Sequence, residues 1–260
     1  MLSKNKISHI KSFHQKKVRD NEGVFIVEGN KMCTELLSSG FDVLLLVATP
    51  AWISGNINIT NKNINELIEA NRAEIERISL LQSVSDVFAL VKIPNNKSLN
   101  IDYSSELIIA LDCIQNPGNI GTILRTADWF GIKNIICSPD SVDVYNPKVV
   151  QASMGAVFRV NVIYRNLPEF LSEIPNDFPV YGTFLDGASV YTHELSEKGI
   201  LILGNEGKGV SDSVFPFISN KIFIPSFSVN QRTSESLNVS VAAAIFCSEF
   251  KRRCLRQGNK

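Results

Sequence analysis

Residues 107–125 read LIIALDCIQNPGNIGTILR. Leu107–Leu111 has the length and apolar composition of a buried strand. Asn116-Pro117-Gly118-Asn119 is turn chemistry, and Gly121 opens a helical stretch over Thr122–Phe130. Strand, glycine-bearing turn and helix in direct succession are the start of an α/β unit. Arg125 stands six residues after Asn119, on the first turns of that helix, whose spare backbone N–H groups suit an anion. Taken alone, the segment is equally a plain connection carrying a solvent-facing Arg.

The same alternation continues to the C-terminus. Asn134–Cys137, Val180–Phe184, Ile200–Leu203 and Lys221–Ile224 read as short buried strands, with helical stretches at Pro147–Val157, Leu167–Ile174, Asp212–Ile218 and Ser236–Arg253. The pattern predicts a mostly parallel sheet covered on both faces. Ligands then bind at the carboxyl ends of the strands. Two further polar loops follow strands and converge on that edge. LGNEGKG (203–209) holds three glycines in six positions, which permit close backbone approach or positive φ. It is neither a G-x-G-x-x-G fingerprint nor a Walker A loop, because Gly209 rather than Ser or Thr follows Lys208. IPSFSVNQRTSESLNVSVAAA (224–244) leads into a small-residue helix, where Ser236 and Asn238 are explained by capping if read alone.

Upstream, the periodicity predicts one helix over residues 2–19, with Ile7, Ile10 and Val18 on its apolar side. Val24–Glu28 is a short strand, Gly29 opens a helix through Leu37, and Val43–Val47 is a buried strand. A polar helix is expected over Asn63–Glu76, then an apolar stretch, Val84–Val91. The Asn-rich segment IPNNKSLN (93–100) reads as a linker. The expected division is a domain over 1–97, a linker over 98–104 and a second domain over 105–260.

Among the 260 residues, 44% are hydrophobic and 20% charged, which excludes a disordered chain. Lys plus Arg equal Asp plus Glu at 26 each, so indiscriminate nucleic-acid binding is not expected of the whole. The charge is unevenly placed, however. Lys4, Lys6, Lys11, Lys16, Lys17 and Arg19 crowd the first twenty residues, and Lys251, Arg252, Arg253, Arg256 and Lys260 the tail. Such ends attract phosphate or are solvated helix faces. No apolar run approaches the roughly 20 residues that span a bilayer, and the N-terminus has no signal-peptide core. The five scattered cysteines read as reduced thiols of a cytoplasmic protein. His9, His14 and His193 lack ligand spacing, so no metal is expected.

Together the three loops resemble the sequence motifs of the SpoU/TrmH family of RNA 2′-O-ribose methyltransferases. NPGNIGTILRTA matches the first motif, LILGNEGKGV the second, and IPSF…SESLNVSVAAAI the third. KVVQASMGAVFRV (148–160) is similar to the family's Ser-x-Gly-Ala segment, and KSFHQKKVRDNEGVFIVEG (11–29) to its N-terminal substrate-binding domain. One departure is the loop Ser226–Glu235, longer than usual and with Asn230 where a Gly is expected. The resemblance implies a C-terminal α/β trefoil-knot domain behind a small ribosomal-protein-like α/β domain. It implies a homodimer formed through the knotted domain, S-adenosylmethionine as cofactor, and RNA, ribosomal in preference to transfer RNA, as partner. Cofactor contacts then fall on Thr183, Leu203, Gly204, Ile224, Ser236 and Leu237. The catalytic set becomes Asn119, Arg125, Glu206, Ser236 and Asn238, and RNA contacts fall on Lys11, Lys16, Lys17, Arg19 and Arg125.

Chemistry constrains these roles. A guanidinium stays charged and offers no acceptor, so Arg125 is expected to clamp a phosphate beside the target ribose rather than take its proton. Glu206 is expected to order Arg125 or the loop backbone. Two rivals remain at this level: a Rossmann-type dinucleotide enzyme, and a non-catalytic RNA-binding protein on a degenerate methylase fold.

Overall fold

A computed structural model describes residues 2–56, 64–94, 101–228 and 236–257. It comprises two compact units, residues 1–96 with 143–159, and residues 97–142 with 160–260. Residues 98–100 of the expected linker lie outside the described residues, as do Asn230 and most of the long loop preceding Ser236.

The first unit carries the sheet β1 (Val24–Glu28), β4 (Val87–Lys92), β2 (Val43–Ala48), β3 (Leu67–Glu69), in that spatial order. β4 is antiparallel to both neighbours and β3 runs parallel to β2. Val24, Ile26, Leu45, Val47, Phe88 and Leu90 enter its core. The helices are α1 (Lys4–Ser12), α2 (Lys16–Glu22), α3 (Asn30–Leu37), α4 (Pro50–Gly55) and α5 (Arg72–Glu76). The single helix expected over residues 2–19 is thus two. α1 begins at a Ser3 cap and stops at Ser12, and a turn through Phe13 and His14 lets Phe13 enter the core. The helix expected over Asn63–Glu76 is also corrected, because Leu67–Glu69 pairs with Leu46–Ala48 before Asn71 caps α5 through a capping box. A partner strand outweighs local helix propensity there.

Arg19, expected on an RNA-facing surface, is only 3% exposed. Its guanidinium turns inward and donates to the carbonyl oxygens of Phe13 (3.2 Å) and His14 (3.0 Å), with Asp143 at 3.5 Å. Burying a guanidinium is tolerated only when such partners surround it. Residues 143–159 therefore cluster with the N-terminal unit, unlike the division expected from sequence. Tyr145 packs on Phe25 (ring centroids 4.5 Å apart), Phe158 meets Phe41 edge-on, and α7 (Pro147–Ser153) lies against β1.

The second unit is built on six parallel strands, ordered β10 (Asn220–Phe223), β8 (Val180–Ser189), β9 (Gly199–Leu203), β5 (Leu107–Leu111), β6 (Asn134–Cys137), β7 (Asn161–Tyr164). α6 (Pro117–Trp129) packs on α9 (Val239–Gln257), and α8 (Leu167–Ser172) covers the core with Leu167, Phe170 and Leu171. β7 was not expected from sequence, and Asp212–Ile218 holds only a short 3-10 turn at Phe215–Phe217. The loop after β5 leads toward β6, and the loop after β9 leads toward β10 on the other side. Adjacent strands whose exits diverge leave a crevice, the usual ligand position in parallel sheets.

Replacing Arg19 with Ala should destabilise the N-terminal unit by about 2–4 kcal/mol, since Asp143 loses its counter-charge and two carbonyl oxygens lose their donor. Lys16→Ala and Lys17→Ala, at exposed positions, should stay within about 0.5 kcal/mol in the same urea titration.

Candidate active site

The crevice between β5 and β9 is closed by backbone and side-chain ties. β5 and β9 pair from Leu107↔Gly199 to Leu111↔Leu203, and the Asp112 N–H donates to the Leu203 oxygen at 2.9 Å. Asn205 donates from Nδ2 to the Cys113 carbonyl at 2.8 Å, while its Oδ1 accepts from the Gly207 and Lys208 N–H groups. The Asp112 carboxylate accepts from the Ser211 N–H at 2.7 Å. Sequence reasoning passed over Asn205 and Asp112. The Asn two residues before Gly207 was the available signal, because Asn bonds its own backbone two residues on in tight turns.

Gly204 shows why this loop needs glycine. A Cβ there would sit 2.3 Å from the Gly209 carbonyl carbon and 2.4 Å from the Val210 nitrogen. Asn205 and Gly209 exchange two backbone hydrogen bonds of 2.9 Å, so the turn folds flat against Gly204. The missing side chain therefore makes room for the loop itself.

The catalytic candidates meet as a directed chain of amides. Pro117 occupies the first turn of α6 and the Asn116 side chain caps it, which presents Asn119 at the strand edge. Asn119 is 7% exposed. Its Nδ2 donates to Glu206 Oε1 at 2.6 Å, and its Oδ1 accepts from Asn238 Nδ2 at 3.0 Å. Asn238 Oδ1 in turn accepts from the Ser240 N–H (2.9 Å) and hydroxyl (2.6 Å) and caps α9. Three loops far apart in sequence are thus joined through one buried amide. Ser240 was missed from sequence, hidden in an ordinary small-residue helix. Asn238 both caps and connects, so the two readings of that position are not exclusive.

The remaining candidates are placed differently. Arg125 lies on the exposed side of α6, six residues and about 9 Å of helix rise beyond Asn119. Among the described residues Glu206 accepts from Asn119 and not from Arg125, so of the two expected roles, ordering Arg125 or the loop backbone, the geometry does not carry the first. Ser236 is exposed in a bend before α9, outside the amide chain, with Leu237 beside it. Thr183 on β8, Leu203 and Gly204 at the end of β9, and Ile224 just after β10 share the carboxyl edge of three adjacent strands. Thr183 spends its hydroxyl on the Ile202 carbonyl at 3.0 Å. The edge therefore offers ligands backbone groups and apolar side chains such as half-buried Ile224 and exposed Leu237. That donor set fits an adenosine and a thioether-like chain better than a polyphosphate. No cluster of three or more metal-binding side chains occurs among the described residues, and no helix there is long and apolar enough to cross a membrane.

Gly204→Ala should open the Asn205–Gly209 turn, because neither clashing atom belongs to a flexible side chain. Amide exchange in residues 204–210 should accelerate at least tenfold, about 1.4 kcal/mol of local opening free energy, while the far strands β6 and β7 keep their protection.

Comparison with known proteins identifies the family and the fold. Residues 106–248 match the SpoU rRNA Methylase family and residues 4–89 the MRM3-like substrate binding domain. The 23S rRNA (guanosine(2553)-2′-O)-methyltransferase RlmP of Bacillus subtilis is 30% identical over 92% of this chain and 93% of its own. A structure from Porphyromonas gingivalis assigned to the TrmH family superposes with TM-score 0.87 at 38% identity, covering 97% of this chain and 99% of that one. An AdoMet-bound rRNA methyltransferase from Sinorhizobium meliloti superposes with TM-score 0.86 at 26% identity over 97% and 96%. By matched family and by full-length similarity, the chain belongs to the SpoU rRNA methylase family.

Proposed function

We propose that this chain transfers the methyl group of S-adenosylmethionine to a ribose 2′-hydroxyl of ribosomal RNA. The observation that carries this reading is the Asn238–Asn119–Glu206 chain across the mouth of β5 and β9. The cofactor supplies an already electrophilic methyl group, so the protein's task is positioning. Backbone groups after β9 and β10, with Thr183, Leu203, Gly204, Ile224, Ser236 and Leu237, hold the cofactor at the strand edge. Glu206, fixed at one oxygen by Asn119, keeps lone pairs that orient the ribose hydroxyl. Arg125, exposed on α6, grips the neighbouring phosphate through its planar fork and stabilises negative charge as it develops on the 2′-oxygen. The proton leaves to solvent or to a phosphate oxygen.

In the N-terminal unit, Lys11, Lys16 and Lys17 are exposed and supply counterion-releasing contacts to RNA; Arg19 is withdrawn from that set. The C-terminal unit is read as a trefoil knot and as the dimer-forming unit of a cytoplasmic protein. Support for dimerisation lies on the packed pair α6 and α9, where Trp129 is 84% exposed and Val241 49%. A large exposed apolar side chain such as Trp129 is suited to burial in an interface, and a second copy of the chain is its proposed occupant.

Arg125→Ala should lower methyl transfer about 10²-fold or more while S-adenosylmethionine still raises the melting temperature as in wild type. An RNA with 2′-deoxyribose at the target nucleotide should accept no methyl group. Methylation of that RNA, or a thermal shift with NAD and none with S-adenosylmethionine, would overturn the assignment. Trp129→Glu should convert the sedimenting species to monomer without loss of helical circular dichroism.

A further inference from the structure

We propose that a cavity in the N-terminal unit receives one unpaired, keto-bearing base of the RNA, a subsite separate from the basic helices; this rests on the reading above. This cavity is an open depression of about 580 Å³ lined by Asn30, Thr49, Ala51, Trp52, Arg72 and Asp86. That volume lies within the roughly 300–1,000 Å³ of small-ligand sites.

Its polar wall is tied together by hydrogen bonds. Arg72 donates to both Asp86 oxygens, from Nε at 2.7 Å and from Nη2 at 3.0 Å. Asn30 donates to Asp86 at 3.2 Å and accepts from the Asp86 N–H and the Ser85 hydroxyl. The Asp86 carbonyl accepts from the Thr49 N–H at 2.9 Å. Four segments, the starts of α3, α4 and α5 and the approach to β4, are thereby locked together around the cavity.

The chemistry of that wall selects its occupant. The Arg72 and Asn30 hydrogen bonds hold the Asp86 carboxyl below the usual carboxylate range, so the pair is ionised and internally neutral. A phosphate would meet a carboxylate and gain little, whereas a neutral flat group would not. Arg72 is 67% exposed in its side chain yet fixed in plane by two bonds, which leaves a flat guanidinium face for stacking. Single-stranded RNA is read by splaying bases onto such planes, and Trp52, only 7% exposed, lies beneath as part of the lining. Two lining groups keep a hydrogen to donate. Thr49 Oγ1 accepts from the Trp52 N–H, so its own hydroxyl hydrogen remains, as does the second amide hydrogen of Asn30. Such donors favour a base edge that carries an exocyclic carbonyl oxygen, as uracil and guanine do, over adenine, whose exocyclic group is an amine and itself a donor.

The chain has two tryptophans, so in the full-length Trp129→Phe protein Trp52 is the sole reporter. Titration with single-stranded oligouridylate should quench its fluorescence, and oligoadenylate should do so at least about fivefold more weakly. Ala51→Phe, at an exposed position on the cavity rim, should abolish the quenching and raise the KM for unmethylated 23S rRNA about tenfold, with kcat and S-adenosylmethionine affinity unchanged. Arg72→Lys, which keeps the charge and loses the plane, should act in the same direction and tests the idea should the Phe variant misfold. Absence of quenching, equal quenching by both oligonucleotides, or quenching that survives both substitutions would overturn the subsite. Failure of the wild-type chain to methylate any RNA, with quenching intact, would instead overturn the function and leave a base-binding cavity.

Discussion

The amide of Asn119 is the constraint on which the second unit turns. A buried amide without partners costs about 1–3 kcal/mol per unmade bond, so both of its ends must be met. Glu206 and Asn238 meet them from loops 87 and 119 residues away. Because an amide has distinct donor and acceptor ends, the partners also fix one another's orientation. Glu206 must accept, Asn238 must donate, and Ser240 holds Asn238 in the required sense. None of the three loops can move without leaving a buried group unpaired, which gives the preorganisation that a reaction limited by geometry requires.

That junction exists only because β5 and β9 are neighbours. They are separated by nearly ninety residues of chain, yet their parallel pairing brings the loops after Leu111 and Leu203 to one place. Gly204 then allows the second loop to fold back on itself, and Asn205 fastens it to the first. The register irregularity between β10 and β8, where Lys221 pairs with Gly182 but Ile222 pairs with Ala188, lifts residues 183–187 out of the ladder beside the same edge. Thr183 and its successors are thereby free of sheet pairing where the cofactor is proposed to lie.

The first unit shows the opposite use of charge. Arg19 and the Arg72–Asp86 pair are both cation–carboxylate arrangements, but burial separates their consequences. Arg19 is enclosed and serves the fold. Arg72 is exposed and held flat, so its partner costs it little of its surface. A basic residue in a lysine-rich segment is therefore not by that fact a nucleic-acid contact.

Much of this was legible in the chain itself. Short apolar runs bounded by turn residues located β1, β2, β5, β6 and β9 to within a residue or so, because a strand buried on both faces leaves an uninterrupted apolar signature. The family resemblance carried by the three motif loops named Asn119, Glu206 and Asn238 as candidate site residues, and strand-to-loop order put them on one edge. Tertiary structure alone decided the rest. β3 and β7, three and four residues long, are too short to leave a pattern and depend on their pairing partners. Arg19 is turned inward by Asp143, more than a hundred residues distant, and residues 143–159 join the N-terminal unit through packing against Phe25 and Phe41. Which amide donates to which carboxylate is likewise a property of loops brought together in space. Periodicity records burial along a chain, whereas a hydrogen bond between distant residues has no period to leave in it.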